Sequence, residues 1–554
     1  MSTRWIAAVL VALLACKGSP EAPASAPAAE PTPAPPRPGL RLVVLLVIDQ
    51  LPSWSFERDM QHVSSGIARL RDGGVLYPRA RFPFANTYTA TGHAALGTGA
   101  PPSITGILGN AHYDRAAGVE RSTVLDEDAP LLAILPRATT DPADGASSRH
   151  LRVDGVADVL AAEHPAARSV SIALKDRGAI LSLGRRPNLA VWYDPAQPAM
   201  TTSRFYAAEP PPWLLELART HPVTRYVDTV WEPLDAARLA AITGTADDAP
   251  GESSVDGLNT TFPHALVGAR RAKTFRATPM ADELLVATAL AAIDGERLGA
   301  DDVPDLLSVS FSAHDYAGHF WGQESWERLD LFLRLDRSIG TLLDGLDHKV
   351  GKGRYAVVLS SDHGSTRMIE HSVDAGRTAV RVFDEQLVER GEAAARTVLG
   401  KGSWIAAYSE SNLYMTPAFA ARAETDRDRA LDAIAAGLRQ IPGVAFAGRT
   451  DELRGDCETR TALEASICRS LGEASGEVFV AAAADSLICE ARYVTGTSHG
   501  SPNPDDTDVP IIIYAPGLTP QVIDEVVSPL RIAPTLAALL GISAPPASRA
   551  LPLP

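Results

Sequence analysis

Positive charge, cysteine and long apolar runs are all scarce in this chain. Its 51 Lys and Arg stand against 67 Asp and Glu, a formal net charge of −16. That balance argues against a nucleic-acid backbone as the main partner, because proteins that bind one carry a basic face. A small anionic substrate stays open, since a single site can be locally positive within an acidic protein. Cysteine occurs 4 times in 554 residues. None of the four has metal-ligand spacing with a His, which argues against a structural zinc knuckle. No internal repeat is present, and no series of long apolar segments suggests a bundle of membrane spans. What is there is a composition of 45% hydrophobic and 21% charged residues. It is that of a globular protein long enough for a large core and, on length alone, for two domains.

The N-terminus stands apart. "MSTRWIAAVLVALLAC" places Arg4 before an apolar run that is too short for a comfortable transmembrane span. Leu13-Leu14-Ala15-Cys16 resembles the bacterial lipobox, which implies a signal peptide over residues 1–15 and lipidation of Cys16. The rest of the segment 16–38, "KGSPEAPASAPAAEPTPAPPRP", is Ala/Pro-rich and reads as an extended tether. The expected location is the periplasm or cell envelope, with membrane contact only through the lipid anchor. Disulfides are permitted there. Of Cys457, Cys468 and Cys489, the first two are expected to pair on proximity alone, leaving one thiol free.

The folded part starts near Gly39. "LRLVVLLVID" is continuously apolar up to Asp49 and reads as a buried parallel strand. Similar runs recur: "SVSIAL" before Lys175, "DLLSVSFSAHD" up to Asp315, "RYAVVLSSDHG" through Asp362 and His363, and "VPIIIYAPG" at 509–517. Helical patterns at 281–296, 324–346 and 426–441 lie between them, and "SPLRIAPTLAALLGI" reads as a helix ended by Gly541. This alternation predicts an α/β fold, a core sheet with helices on both faces. Residues 184–275 and 370–490 fit the alternation poorly. They read as cap insertions within one domain spanning 39–554.

Residues able to carry chemistry gather at the ends of the apolar runs, where ligands bind in open α/β sheets. They are Asp49, Asp315 and His319 in "DYAGH", Asp362 and His363 in "SDHG", and His499 in "GTSHGSP". Three carboxylates and three imidazoles suit zinc. Asp315 and His319 are spaced i, i+4, so one helical turn puts both on one side. Any one of these residues alone is more often a cap or a loop residue. Their convergence from separate strand ends is the signal.

Taken in order, "VIDQ", the Thr-rich "NTYTATGHAALGTGAPPSITGILGN", "HDYAGH", "SSDHG" and "TSHGSP" resemble the metal-binding motifs of the alkaline phosphatase superfamily. The resemblance runs over most of the chain beyond the tether. It implies that superfamily's core sheet and two zinc ions clamping the ends of an in-line phosphoryl displacement. Carried over by motif, Asp315, His319 and His499 would hold one zinc. Asp49, Asp362 and His363 would hold the other, together with the nucleophile oxygen. Members resembling this chain read Thr-Ala-x-Gly-His and then an Asn. Thr89-Ala90-Thr91-Gly92-His93 therefore marks Thr89 as the nucleophile, with Thr87 as the alternative, His93 as structural and Asn110 as a phosphate contact.

"SIALKDRGAIL" in turn resembles the Lys-x-Arg of phosphate-irrepressible periplasmic alkaline phosphatases. There the Lys and Arg, here Lys175 and Arg177, join the Asn on the non-bridging phosphate oxygens. A monoester dianion has one more charged oxygen than a diester, and an Arg can engage it bidentately. The Cys/Ser-x-Pro-x-Arg motif of sulfatases is absent from the sequence. The resemblance thus implies a zinc-dependent phosphomonoesterase that acts on small phosphate monoesters through a phospho-threonine; a monomer is expected, though the sequence itself leaves the oligomeric state open. A nucleotide pyrophosphatase/phosphodiesterase on the same scaffold is the alternative within the superfamily. A catalytically inactive surface-binding lipoprotein is the alternative outside enzymes.

Overall fold

A computed structural model describes residues 39–136, 145–226, 229–254, 257–268, 270–490 and 493–554. The expected signal peptide, Cys16 and the tether lie outside the described residues. The largest sheet among those residues has nine strands. In chain order they are β1 (Leu42–Ile48), β2 (Val75–Arg81), β3 (Ser169–Ala173), β4 (Leu189–Asp194), β5 (Ala199–Thr201), β6 (Asp305–Phe311), β7 (Tyr355–Ser360), β8 (Asp508–Tyr514) and β9 (Gln521–Val522). Across the sheet they lie in the order β9-β2-β8-β7-β1-β6-β3-β4-β5.

Strand β1 shows why the apolar runs are unbroken. Leu42, Val44, Leu46 and Ile48 pack into one core, while Val43, Leu45 and Val47 pack into another on the opposite face. Period-two geometry sends alternate side chains to opposite faces, so a strand covered on both must be apolar throughout. The helices used below are α1 (Thr89–Thr98), α2 (Asp176–Leu181), α3 (Pro279–Gly295), α4 (Ala313–Trp321), α5 (Trp326–Leu346) and α6 (Ile532–Leu540). Leu284 and Leu285 of α3 and Leu331 and Leu335 of α5 cover the first face. Leu536 and Leu540 of α6 cover the second. Gly541 ends α6 in the left-handed region at φ 72, which a residue without Cβ adopts freely.

Two features differ from the expectation. The 509–517 run is β8, and it pairs antiparallel with both β7 and β2. Burial on both faces makes a run continuously apolar whatever its direction, so the pattern reports burial and not polarity. In addition, part of the 184–275 segment extends the central sheet as its edge strands β4 and β5. Residues 370–490 build a separate four-stranded sheet with its own apolar core, including Leu387, Leu413, Ile434 and Val480. Cys457 and Cys468 are bridged, with Cα atoms 5.6 Å apart, and Cys489 is a free thiol.

Candidate active site

Strands β7, β1, β6 and β3 are adjacent and mutually parallel. Their C-terminal ends therefore share one edge, and the chain just beyond them supplies Asp362, Asp49, Asp315 and Lys175. Because β8 runs the other way, the loop before it reaches this edge. That loop carries His499, so this imidazole precedes its strand whereas the carboxylates follow theirs. Strand β2 leads across the same edge into α1 and Thr89.

The Thr-rich stretch is resolved by its hydrogen bonds. Tyr88 is the N-cap of α1, and Thr89 is the first helical residue. Thr91 Oγ1 accepts the Tyr88 N–H at 3.0 Å and donates to the Asn86 carbonyl at 2.5 Å. Thr87 Oγ1 donates to the Ser501 carbonyl at 3.0 Å and accepts the Gly500 N–H at 3.2 Å. Thr98 and Thr105 hydroxyls bond the carbonyls of Ala94 and Pro102. Thr89 differs: its Oγ1 lies 3.2 Å from Lys175 Nζ and 3.4 Å from His363 Nε2. It is this hydroxyl, and not that of Thr87, that the fold brings to the charged cluster. His93 sits one turn on, with Nδ1 2.9 Å from the Thr89 carbonyl and 3.1 Å from Asp362 Oδ2, and Nε2 2.9 Å from Ser310 Oγ. It ties α1 to the ends of β6 and β7.

The expected ligands fall into two groups, Asp315/His319/His499 and Asp49/Asp362/His363. Within each, one donor atom per residue lies within 4.8 Å of the others. All three imidazoles turn Nδ1 to a backbone carbonyl. His319, His363 and His499 donate Nδ1–H to the carbonyls of Thr497, Gly364 and Thr87 at 2.9, 2.9 and 2.6 Å. Each turns its Nε2 to the carboxylates, the arrangement that holds a ligating His in orientation. His319 Nε2 is 3.3 Å and His499 Nε2 3.7 Å from Asp315 Oδ1. His363 Nε2 is 3.5 Å from both Asp49 Oδ1 and Asp362 Oδ2.

Charge in this pocket is tightly balanced. Burial, then the Asp315 and Asp362 carboxylates, push the Asp49 carboxyl well above its usual range. Asp315 is equally buried, but Lys175 and His319 outweigh burial and hold it well below that range. Burial also pulls the Lys175 ammonium down, and Asp315 and Asp49 more than restore it. Lys175 Nζ reaches Asp49 Oδ2 at 2.7 Å and Asp315 Oδ2 at 2.6 Å. Burial depresses His363, and burial with His363 and His319 depresses His499, so neutral imidazole is favoured at both. Asp49 Oδ1 is buried and accepts no hydrogen bond. Neutral nitrogens, crowded carboxylates and an orphaned oxygen together fit divalent cations with N/O ligands.

The edge opens into a cleft of about 640 Å³ whose walls include Asn110, Arg177, Tyr316, His319, Glu410 and His499. Asn110 Oδ1 accepts the Ala90 N–H of α1 at 3.0 Å, which leaves its amide NH2 as donor. The Arg177 side chain is about one-quarter exposed, and its Nε has no hydrogen-bond partner. Sequence reasoning missed Gln50 and Glu410. Gln50 has φ 63, uncommon for a residue other than Gly. It donates its N–H to Asp362 Oδ1 at 3.2 Å and its amide to Asp315 Oδ1 at 3.1 Å, so it touches both groups. A Cβ at Gly318 would overlap Gln50 Oε1, and one at Gly92 would overlap the Asp362 carbonyl. Those contacts explain the Gly of "DYAGH" and of "TATGH". The tetrapeptide "VIDQ" displayed Gln50, but its backbone angle has no sequence signal.

Residues 43–501 match the family described as type I phosphodiesterase / nucleotide pyrophosphatase. The chain belongs to that family, within the alkaline phosphatase superfamily. Its members are phosphoric ester hydrolases, and the superfamily is metal-dependent. Among its relatives is alkaline phosphatase PafA of Elizabethkingia meningoseptica, 30% identical over 93% of this chain and 94% of that one. A protein of Myroides odoratus named a calcium-transporting ATPase is 29% identical over 91% of this chain and 92% of its own length. The crystal structure of PafA superposes with a TM-score of 0.84 at 27% identity, covering 93% of this chain and 99% of PafA. No helix among the described residues is long and apolar enough to cross a membrane.

Proposed function

We propose that this chain is an alkaline phosphatase that hydrolyses phosphate monoesters through a phospho-threonine on Thr89, with two zinc ions as cofactor. The observation that carries the reading is the surroundings of the Thr89 hydroxyl. It lies within 3.4 Å of His363 and 3.2 Å of Lys175, at a helix N-terminus beside both candidate ligand groups. Asp315, His319 and His499 would hold one zinc, and Asp49, Asp362 and His363 the other. Bound there, the ions would supply Lewis-acid charge at the attacking and leaving ends of the displacement.

The remaining work belongs to the chain's own residues. Thr89 Oγ1 gives up its proton and attacks phosphorus in line, so the Oγ1–P bond forms as the opposite ester P–O bond breaks and the alcohol leaves with a proton; the N–H groups of the first turn of α1 favour the negative charge that gathers there. Lys175, Arg177 and Asn110 take the equatorial oxygens, where charge accumulates in the transition state. Gln50 and His93 orient the carboxylates and α1. Water then cleaves the phospho-threonine and frees Thr89. A solved variant of PafA carries substitutions at a Thr, an Asn, a Lys and an Arg. Their order, the Thr-to-Asn separation and the Lys-x-Arg spacing equal those of Thr89, Asn110, Lys175 and Arg177.

The family description favours a second reading, a phosphodiesterase. Kinetics on metal-replete protein with an aryl phosphate monoester and the matching methyl diester separate the two. A larger kcat/KM on the diester overturns the monoester reading. On sequence alone we also propose export and lipid anchoring at Cys16. Fatty-acid labelling lost in Cys16→Ser supports this, and labelling retained in that variant overturns it.

A further inference from the structure

The tip of one cap hairpin enters the active-site cleft. Its strands are Ile405–Ser409 and Asn412–Met415, and Ser409 pairs with Asn412, so the loop is only Glu410-Ser411. Both loop residues have positive φ, 42 and 67. That is the signature of a type I′ turn, which Asn-Gly suits far better than Glu-Ser. The unfavourable backbone is retained where both side chains are engaged. Ser411 Oγ lies 3.3 Å from the hydroxyl of Tyr88, the N-cap of α1, and 3.3 Å from the Gly500 carbonyl beside His499. Glu410 Oε1 accepts the N–H of Ala111, the residue that follows Asn110, at 3.2 Å. Glu410 Oε2 is buried without a partner, and a Cβ on Gly109 would overlap it. The loop Gly109-Asn110-Ala111 is thus shaped around Glu410.

We infer that Glu410 is a positioning residue that fixes the Asn110 backbone, and through it the Asn110 amide, for binding the transferred phosphate. The inference rests on the phosphate-binding role of Asn110 proposed above. Asn110 is held from two further sides: its carbonyl accepts the Thr123 N–H at 2.9 Å and its side chain accepts the Ala90 N–H. Among the described residues, the Glu410 contact is the one of these that comes from the cap. The cap therefore sets the aim of one phosphate ligand, and a change in the cap alters monoester turnover without touching a metal ligand. Burial, then Glu120, raise the Glu410 carboxyl to about 8, so the group stands beside the phosphate site without a firmly fixed negative charge.

The test is a double-mutant cycle on metal-replete full-length protein with an aryl phosphate monoester. Glu410→Asn keeps a residue that the turn favours and withdraws the carboxyl from Asn110. It is expected to lower kcat/KM about tenfold in the wild-type background and less than about twofold in Asn110→Ala. Glu410→Gln retains an acceptor for the Ala111 N–H and is expected to stay within about threefold of wild type. An equal loss from Glu410→Asn in both backgrounds, or none in either, overturns the inference while leaving the phosphatase reading intact. Wild-type kinetics in Asn110→Ala overturn the role of Asn110 itself.

Discussion

Thr89 is one of five Thr between Asn86 and Asn110, and the partners of the other four remove them from the chemistry. Thr89→Ala is expected to cut aryl phosphate turnover by at least ~10³-fold while zinc content, read by elemental analysis, stays within error of wild type. Retained turnover would move the nucleophile elsewhere. Lys175 and Arg177 make a different contribution. Lys175 reaches Thr89 and is 2% exposed between two carboxylates, whereas Arg177 is about one-quarter exposed in the wall of the cleft. Replacing both with Ala is expected to lower monoester kcat/KM on the order of 10²–10³-fold and diester kcat/KM much less. Parallel kinetics on the two esters read this directly, and equal losses would detach the pair from the extra charge of the monoester.

The short helix α1 has to lie against the end of β7 for Thr89 to reach His363. Gly92 makes that approach possible, since a Cβ would overlap the Asp362 carbonyl. Gly92→Ala is expected to cost about 1–3 kcal/mol in stability and to weaken zinc retention during dialysis, because α1 and Asp362 must separate. Farther from the site, Asp59 and Arg328 form a fully buried ion pair joining the helix Ser53–Asp59 to α5. Burial raises the Asp59 carboxyl, but Arg328 and Arg58 outweigh it and hold it below its ordinary value. A depressed carboxyl stabilises the fold above its unfolded pKa, and this is lost as pH falls through the folded one. Asp59→Asn is therefore expected to cost about 3–5 kcal/mol at neutral pH. Urea unfolding should show that difference shrinking in acid.

The six candidate ligands come from four segments far apart in the chain, so the site exists only when the sheet is assembled. Cations bound to the folded state alone must then stabilise it by mass action. Chelation is expected to abolish monoesterase activity and lower the midpoint of thermal unfolding, and zinc is expected to restore both, at two per chain. A chelated enzyme that keeps its activity would overturn the proposed cofactor. The cap enters the same assembly, because its hairpin turn touches Tyr88, Gly500 and the backbone of Ala111.

The candidate ligands Asp49, Asp315, His319, Asp362, His363 and His499 were legible in the sequence. They follow or precede unbroken apolar runs, and burial on both faces of a sheet demands such runs. The helices at 281–296 and 324–346 were legible for a similar reason, because their period reports one covered face. Strand direction was not, since β8 is as apolar as its parallel neighbours. The choice between Thr89 and Thr87 was not legible from the residues either: two hydroxyls two positions apart differ only in which partners the fold brings to them. Gln50 and Glu410 were invisible for a related reason. Their contacts are to residues hundreds of positions away, and no local pattern encodes a long-range hydrogen bond. The chain by itself determined which chemistry was available and that it would gather at one sheet edge. Tertiary structure alone decided which hydroxyl faces the metal-ligand groups, because that depends on the distance between segments and not on their composition.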